Sequence, residues 1–529
     1  MKRNMSRVQG QDGFALGKKT TGYFDFEIEK RIFWPPAILL TILLVVGIVN
    51  RELFMAGAAA ALKFTIDYFG WMYLLFIFIF VAFVVILSFS SAGNIRLGGE
   101  DAKPVLSYWN WWAIALCAGI GTGIAFWGVA EPLYHYYGPP SLSGASPSTP
   151  ESALAAMKIS FLHWSFHPYC IYAVIGVAIA YSTYNLKQPL RVSSALYPIM
   201  GDRVNGLAGD IVNGLCIFAT VGCVITSMGF GTMQLAGGLE YLLGIPQSYL
   251  VYAVIIGLMT ATYTISSYTG LQRGIKFLSS QNAKIFIAFV VFVFVMGPTK
   301  YFLNLGVESF GGFLDDFVSM SLWTDTFQKG GGWPGSWTIF YWAWWLSLAP
   351  ILGVFLAKIS YGRTIREFMC VNVMAPAIFG ICWFITFGGG AIYMDSVAGA
   401  DLMGVVNNKG VEFSMYALLE RFPLAWVTVP LAFLTICISF VTLADSATSA
   451  ISEICTKKMD RDEPPATLKI FWGIIMGSMT ILFLIISGKT GTKALQTSSI
   501  VVGLPIVIIE MLALVSVVYS LYGKKSQKQ

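Results

Sequence analysis

The chain of 529 residues is 56% hydrophobic and 12% charged, with a mean hydropathy of +0.69 and a formal net charge of +6. Soluble domains carry roughly 25% charged residues, so this composition excludes one and implies an all-α integral membrane protein with the lipid bilayer as its surroundings. The small positive excess includes no polybasic block, which argues against nucleic acid as a partner.

In chain order, residues 1–32 read as a polar N-terminal tail, retained because the first apolar run lacks a small-residue cleavage site. Crossing a ~30 Å hydrocarbon layer takes about 20 residues. Twelve such runs lie in one membrane domain, residues 33–522, near 33–53, 68–92, 109–131, 153–183, 208–243, 249–269, 282–304, 335–357, 369–393, 424–454, 467–487 and 495–522. Between the seventh and eighth runs, "VESFGGFLDDFVSM" predicts an amphipathic surface helix, and residues 523–529 form a short C-terminal tail. With both termini cytoplasmic, most of the 34 Lys and Arg, beginning with Lys2, Arg3, Arg7, Lys18 and Lys19, face inward, as the positive-inside rule requires of an inner-membrane protein. The eight cysteines are scattered without a C-x-x-C pair and read as reduced packing residues. No disulfide, metal or cofactor is expected.

Two runs carry helix breakers near their middles. Span 3 reads "CAGIGTGIAFWG", with Gly119, Gly121 and Gly123 at alternate positions, and span 8 reads "WLSLAPILG", with Pro350 and Gly353. Each glycine weakens a helix by about 1 kcal/mol relative to alanine, so local unwinding is expected at both places. Interrupted helices at matching positions of two halves point to an inverted-repeat transporter with a midplane site. Spans 3 and 8 are five apart, as in a five-plus-five repeat over spans 3 to 12. Close helix packing at small residues is the competing explanation of these glycines.

Aromatic ring faces attract cations, by about 2 kcal/mol or more once water is excluded. A quaternary ammonium group, which offers no hydrogen-bond donor, suits such faces. Span 8 supplies Trp342, Trp344 and Trp345; span 4 supplies Trp164, Tyr169 and Tyr172 in "HWSFHPYCIY". Trp337, Phe340 and Tyr341 lie toward the outer end of span 8, where an interfacial aromatic belt competes with a site. On a regular helix Trp164 and Tyr169 point about 140° apart, so their cooperation requires Pro168 to distort span 4. His163 and His167 have the i, i+4 spacing of a metal pair, but position 164 is Trp and H-E-x-x-H fails. Glu131, Asp445, Ser446 and Glu510 lie within or beside spans, where burial makes acidic and polar groups functional candidates. Glu510 reads equally as a protonated hydrogen-bonding acid or a proton-coupling one. Three histidines supply an enzyme poorly.

The stretch "SWTIFYWAWW", Ser336 to Trp345, resembles the signature of the betaine/choline/carnitine transporter family, as do "AEPLYHYYGPP", "HWSFHPYCIY" and "FLAKISYGRTIREF". The resemblance spans nearly the whole chain after the tail. It implies twelve helices with a LeuT-type five-plus-five inverted repeat in helices 3–12 after two extra N-terminal helices, and a homotrimer. It implies secondary transport of a small trimethylammonium substrate of the glycine betaine, choline or carnitine type by alternating access, with substrate/product exchange, a sensor or a channel as alternatives. The family's substrate box falls on Trp164, Tyr169, Tyr172 and Trp345, with Trp344 beside it, Tyr134 near the site and Gly119, Gly121 and Gly123 in the flexible stretch. Two departures stand out: Tyr169 where relatives commonly have Trp, and Leu348 where an aromatic often follows. The resemblance places ion or coupling positions at Ala118 and Gly121, at Ser439, Thr442 and Leu443, and at Asn282. Leu443 replaces one hydroxyl of a sodium-binding pair, which implies weak or absent dependence on Na+.

Overall fold

The computed structural model describes residues 27–119, 121–269, 272–457, 464–487 and 492–523. Its main helices are α1 (Lys30–Val49), α2 (Arg51–Phe89), α3 (Tyr108–Gly119), α4 (Thr122–Tyr137), α5 (Pro150–Trp164), α6 (Phe166–Tyr184), α7 (Leu207–Leu243), α8 (Tyr249–Thr269), α9 (Gln272–Met296), α10 (Thr299–Asp315), α11 (Thr338–Ile359), α12 (Ile365–Ser396), α13 (Ala425–Ile454), α14 (Ala466–Ser487) and α15 (Thr492–Tyr522). Among the described residues no strand forms beyond two isolated bridges, Ile28 with Thr456 and Arg96 with Thr364.

Local chemistry sets many of the ends. The Asn50 side chain accepts the Leu53 N–H at the start of α2, and Thr149 and Ser152 cap each other reciprocally at α5, where Pro150 takes the first helical position. Thr364 and Glu367 do the same for α12, while Gly244 closes α7 with φ of 69°. On α10, Phe302, Leu305, Ser309 and Phe313 are buried at helical spacing, whereas Leu303, Val307 and Leu314 are exposed. The predicted amphipathic helix is therefore present between α9 and α11, and Pro298 stands at its N-cap.

Ten helical stretches among the described residues are long and apolar enough to cross a membrane. The expected span at 109–131 is divided between α3 and α4, each too short alone, and α8 counts only as a shorter apolar helix over Tyr249–Ile265. Burial sorts the helices into an interior and a rim. The best apolar windows of α5–α6, α7 and the stretch leading through α11 are 83%, 78% and 78% buried, against 33% for α1 and 39% for α2. On α1, Trp34, Ile38, Ile42, Val45 and Ile48 are exposed at helical spacing; an apolar face without a protein partner suits lipid. The chain is a multi-pass membrane protein.

Inside, α11 packs along α6, α7 and α15. The closest approach to α6 is at Gly353: a Cβ there would stand 2.7 Å from Ile175 Cγ2 and 3.2 Å from the Gly176 backbone nitrogen. The expected interruption at Pro350 does not occur, since α11 runs unbroken from Thr338 to Ile359. Its neighbours hold the segment helical in spite of the lost N–H, and Gly353 serves close packing instead. The break near this helix lies earlier, at Trp337, with φ −123° and ψ −80°.

Replacing Gly353 by Val forces a branched side chain into the α6–α11 contact. Overpacking costs about 1–3 kcal/mol, so Gly353→Val is expected to lower the thermal unfolding midpoint of the detergent-purified protein.

Candidate functional site

The aromatic residues of spans 4 and 8 converge because two helices are broken. α5 ends at Trp164 and α6 begins at Phe166, with Ser165 between them at φ −117° and ψ −110°. Pro168 has no N–H to return to the Trp164 carbonyl, and that oxygen instead faces Gly380, where any Cβ would collide with it. The distortion required of span 4 is thus present, three residues before the proline. It turns Trp164 and Tyr169 toward one neighbour.

That neighbour is Trp345. Its ring lies 5.6 Å from Trp164 at 80°, 5.6 Å from Tyr169 at 67° and 5.5 Å from Tyr172 at 58°. Trp344 forms a second wall, 6.3 Å from Trp164 and stacked on Phe340 at 5.6 Å, with its indole N–H donated to Ser227 Oγ on α7 at 3.0 Å. Four ring faces at steep angles around one centre form a surface for a cation without hydrogen-bond donors. The rings rest against one another. Beside Tyr169 and Tyr172 lies a cavity of about 10 Å³, bounded also by Leu352, Asn372 and Pro376.

The glycine stretch adjoins this wall. α3 ends at Gly119 and α4 starts at Thr122, with Gly121 extended at φ −138° and ψ −170°, so span 3 is interrupted where expected. Ile120 lies outside the described residues, as do the side-chain surroundings of Ala118 and Gly119. Gly123 is tightly placed: a Cβ would meet Trp344 Cη2 at 2.6 Å and Trp164 Cη2 at 3.2 Å, whereas one on Gly121 would meet nothing within 4 Å. Tyr134 sits apart from the Trp345 group, against Trp337 at 5.8 Å. Leu348 is half-buried against the core and does not line the cavity.

Of the coupling candidates, Asn282 on α9 donates from Nδ2 to Ser439 Oγ on α13 at 2.7 Å, while its Oδ1 is buried without a hydrogen-bond partner. The Thr442 hydroxyl donates back to the Ile438 and Ser439 carbonyls at 2.9 and 3.1 Å. Leu443 beside it offers no oxygen. Asp445 pairs with Lys469 at 3.1 Å, and Ser446 is exposed. Glu510 on α15 is fully buried with neither carboxyl oxygen hydrogen-bonded, so the interhelical bond considered for it is not made.

The largest feature missed from sequence surrounds Glu131, on α4 and fully buried. Its Oε1 faces His163 Nδ1 at 2.6 Å and His135 Nε2 at 3.4 Å. Its Oε2 accepts the Trp164 indole N–H and the Tyr341 hydroxyl, each at 2.6 Å. His163 Nε2 lies 3.0 Å from Thr338 Oγ1. Tyr341 and Phe340 are fully buried, so the interfacial-belt alternative fails for both; Trp337 is half-buried among Trp127, Tyr134 and His135. His167 turns away from His163 to Ser321 Oγ at 2.8 Å. Glu131, His135 and His163 bring ligand-type atoms within 4.8 Å of one another. Two donors bonded to one tetrahedral zinc stand roughly 3.3 Å apart, so the 2.6 Å Glu131–His163 contact is a hydrogen bond rather than an ion's coordination edge.

The family described as betaine/carnitine/choline family transporter matches residues 31–526. The chain is 37% identical over 453 residues, 86% of its length and 89% of the other's, to a "Probable glycine betaine transporter" of Desulfitobacterium hafniense. It is 36% identical to a glycine betaine transporter of Bacillus subtilis, over 94% of this chain and 95% of that one. An ectoine/hydroxyectoine transporter of Virgibacillus pantothenticus is 35% identical over 95% and 98% of the two chains.

The two glycines give opposite expectations. Gly123→Ala is expected to lower heat stability, by about 1–3 kcal/mol for a forced contact, because Trp344 and Trp164 must move. Gly121→Ala meets no neighbour and is expected to leave the melting midpoint of the purified protein unchanged.

Proposed function

We infer the function from one premise: the chain belongs to the betaine/carnitine/choline transporter family. It is a transporter and not an enzyme. The substrate we propose is a trimethylammonium compound of the glycine betaine, choline or carnitine type. Trp164, Tyr169, Tyr172 and Trp345 hold its cationic head and Trp344 walls the site. The observation that carries this reading is the convergence of three rings from α5 and α6 on Trp345. Because these rings touch, a guest needs Trp345 to swing away from its neighbours; a bound cation then stabilises some conformations over others and shifts their populations, which is the physical content of alternating access.

The same proposal takes helices 3–12 as a five-plus-five repeat after two leading helices, twelve crossings in all, with both termini in the cytoplasm and three copies in the assembly. The break at Gly121 and the loop distribution of Lys and Arg support the first and the orientation; the trimer rests on family likeness. Relatives of near-equal identity are named for glycine betaine and for ectoine, so overall identity does not select the substrate.

Binding measured across glycine betaine, choline, carnitine, butyrobetaine and ectoine tests the class: saturable binding of at least one trimethylammonium compound is expected, and ectoine alone would overturn it. Trp345→Ala is expected to abolish uptake while the protein still reaches the membrane; unchanged substrate affinity in that variant would sink the box. Coupling is expected to depend weakly or not at all on Na+, because the side chain of Leu443 brings no oxygen and leaves Thr442 as the single hydroxyl of the pair. Uptake into liposomes under imposed Na+, H+ or counter-substrate gradients decides this. A strict Na+ requirement contradicts it, a counter-substrate requirement assigns exchange, and flux that never saturates assigns a channel.

A further inference from the structure

We propose that Glu131 is the electrostatic backing of the aromatic box: a buried carboxylate behind Trp164 whose negative charge strengthens cation binding on the ring faces in front of it. The inference rests on the reading of the box as a trimethylammonium site and deepens it by assigning a positioning residue that does not itself line the box.

The hydrogen bonds suit the ionised form of the acid. An indole N–H is a donor only, so Oε2 must accept from Trp164, and it accepts the Tyr341 hydroxyl as well; Oε1 is engaged by His163 Nδ1. Contacts of 2.6 Å belong to the short, charge-assisted class formed by an ionised carboxylate. Such convergence is what a buried charge requires in order to persist without water.

Among the described residues no lysine or arginine pairs with this charge. Two other acids among the described residues meet lysine, Asp445 with Lys469 at 3.1 Å and Asp316 with Lys158 at 2.5 Å. Glu131 has only the imidazoles of His163 and His135 as ion-pair partners. With the carboxylate fully buried, low dielectric lets its field act over the few ångströms to the site. Trp164 is the conduit: its N–H points at Glu131 while its ring lies 5.6 Å from Trp345. A carboxylate on the N–H pushes electron density into the indole, making its face more negative, and the attraction of a cation to a ring grows with that negativity. Tyr341, 5.3 Å from Trp164, is polarised in the same sense through its hydroxyl.

A hydrogen-bond anchor and an electrostatic backing differ in one measurable respect. An anchor supports any ligand of the right shape, whereas a backing charge favours cations over neutral isosteres. The experiment compares glycine betaine with tert-butylacetate, which has carbon in place of the quaternary nitrogen, in competition binding to full-length protein. Glu131→Gln keeps a side-chain acceptor and removes the charge. The expected result is an about tenfold weaker affinity for betaine, the scale of a desolvated cation–π contact, with tert-butylacetate within a factor of two. Equal weakening of both ligands, or no weakening of betaine, overturns the proposal. Should Glu131→Gln fail to fold, exchange of Trp164 for its benzothiophene analogue keeps the ring and removes the N–H; a selective loss of betaine is again expected, and its absence overturns the proposal. A wild-type protein that binds the isostere with the uncharged head as tightly as betaine refutes the box itself. A wild type that prefers betaine, with a Gln variant that keeps the preference, refutes only the role of Glu131.

Discussion

Inside a hydrocarbon layer a peptide group has no water to bond, so every interruption of a helix must be satisfied by protein. This chain interrupts its helices in a few places, and three of them, at Gly121, Ser165 and Trp337, surround the same group of rings. Two of the three, at Ser165 and Trp337, are repaired locally. The Ser165 N–H returns to the Phe161 carbonyl at 3.0 Å and its hydroxyl bonds the same oxygen, and the Trp337 N–H reaches Trp333 at 3.0 Å. The breaks lie in the best-buried part of the molecule, where neighbouring helices keep lipid away. Irregular backbone and dense aromatic packing are two sides of one solution: the breaks aim the rings, and the rings seal the breaks.

Much of this was legible before any coordinates. Composition alone placed the chain in a membrane, the alternate glycines located the break in span 3, and the proline in "HWSFHPYCIY" announced the distortion that lets Trp164 and Tyr169 share Trp345. Pro350 misled because a proline states only what its own nitrogen lacks; whether the helix yields depends on the neighbours, and α11 is clasped by α6, α7 and α15. Tyr341 misled for the same reason. Its position along the run suggested an interface, but α4 and α5 cover it. The Glu131 cluster could be read only in part: Glu131 and His135 stand four positions apart on α4, but the other partners lie 32, 33 and 210 positions away on different helices. An acid beside a span is visible in a sequence, whereas the donors that make it a stable carboxylate are a property of the fold.

The polar contact between α9 and α13 shows a different balance. Asn282 and Ser439, marked separately from sequence, are joined by one hydrogen bond across α9 and α13. Thr442, next to the apolar Leu443, spends its hydroxyl on its own helix. A hard cation prefers oxygen ligands, and the side chain of Leu443 supplies none beside Thr442.

The contact of Gly353 with Gly176 has a mechanical consequence. α6 bears Tyr169 and Tyr172, α11 bears Trp344 and Trp345, and the two helices meet with main chain almost against main chain, without a cushion of side chains to slide over. They form a single stiff strut. Tyr169 and Tyr172 on one side and Trp344 and Trp345 on the other ride on it together, so any flexing of the bundle moves these rings as one casting, and hinges must be sought where the backbone is already broken.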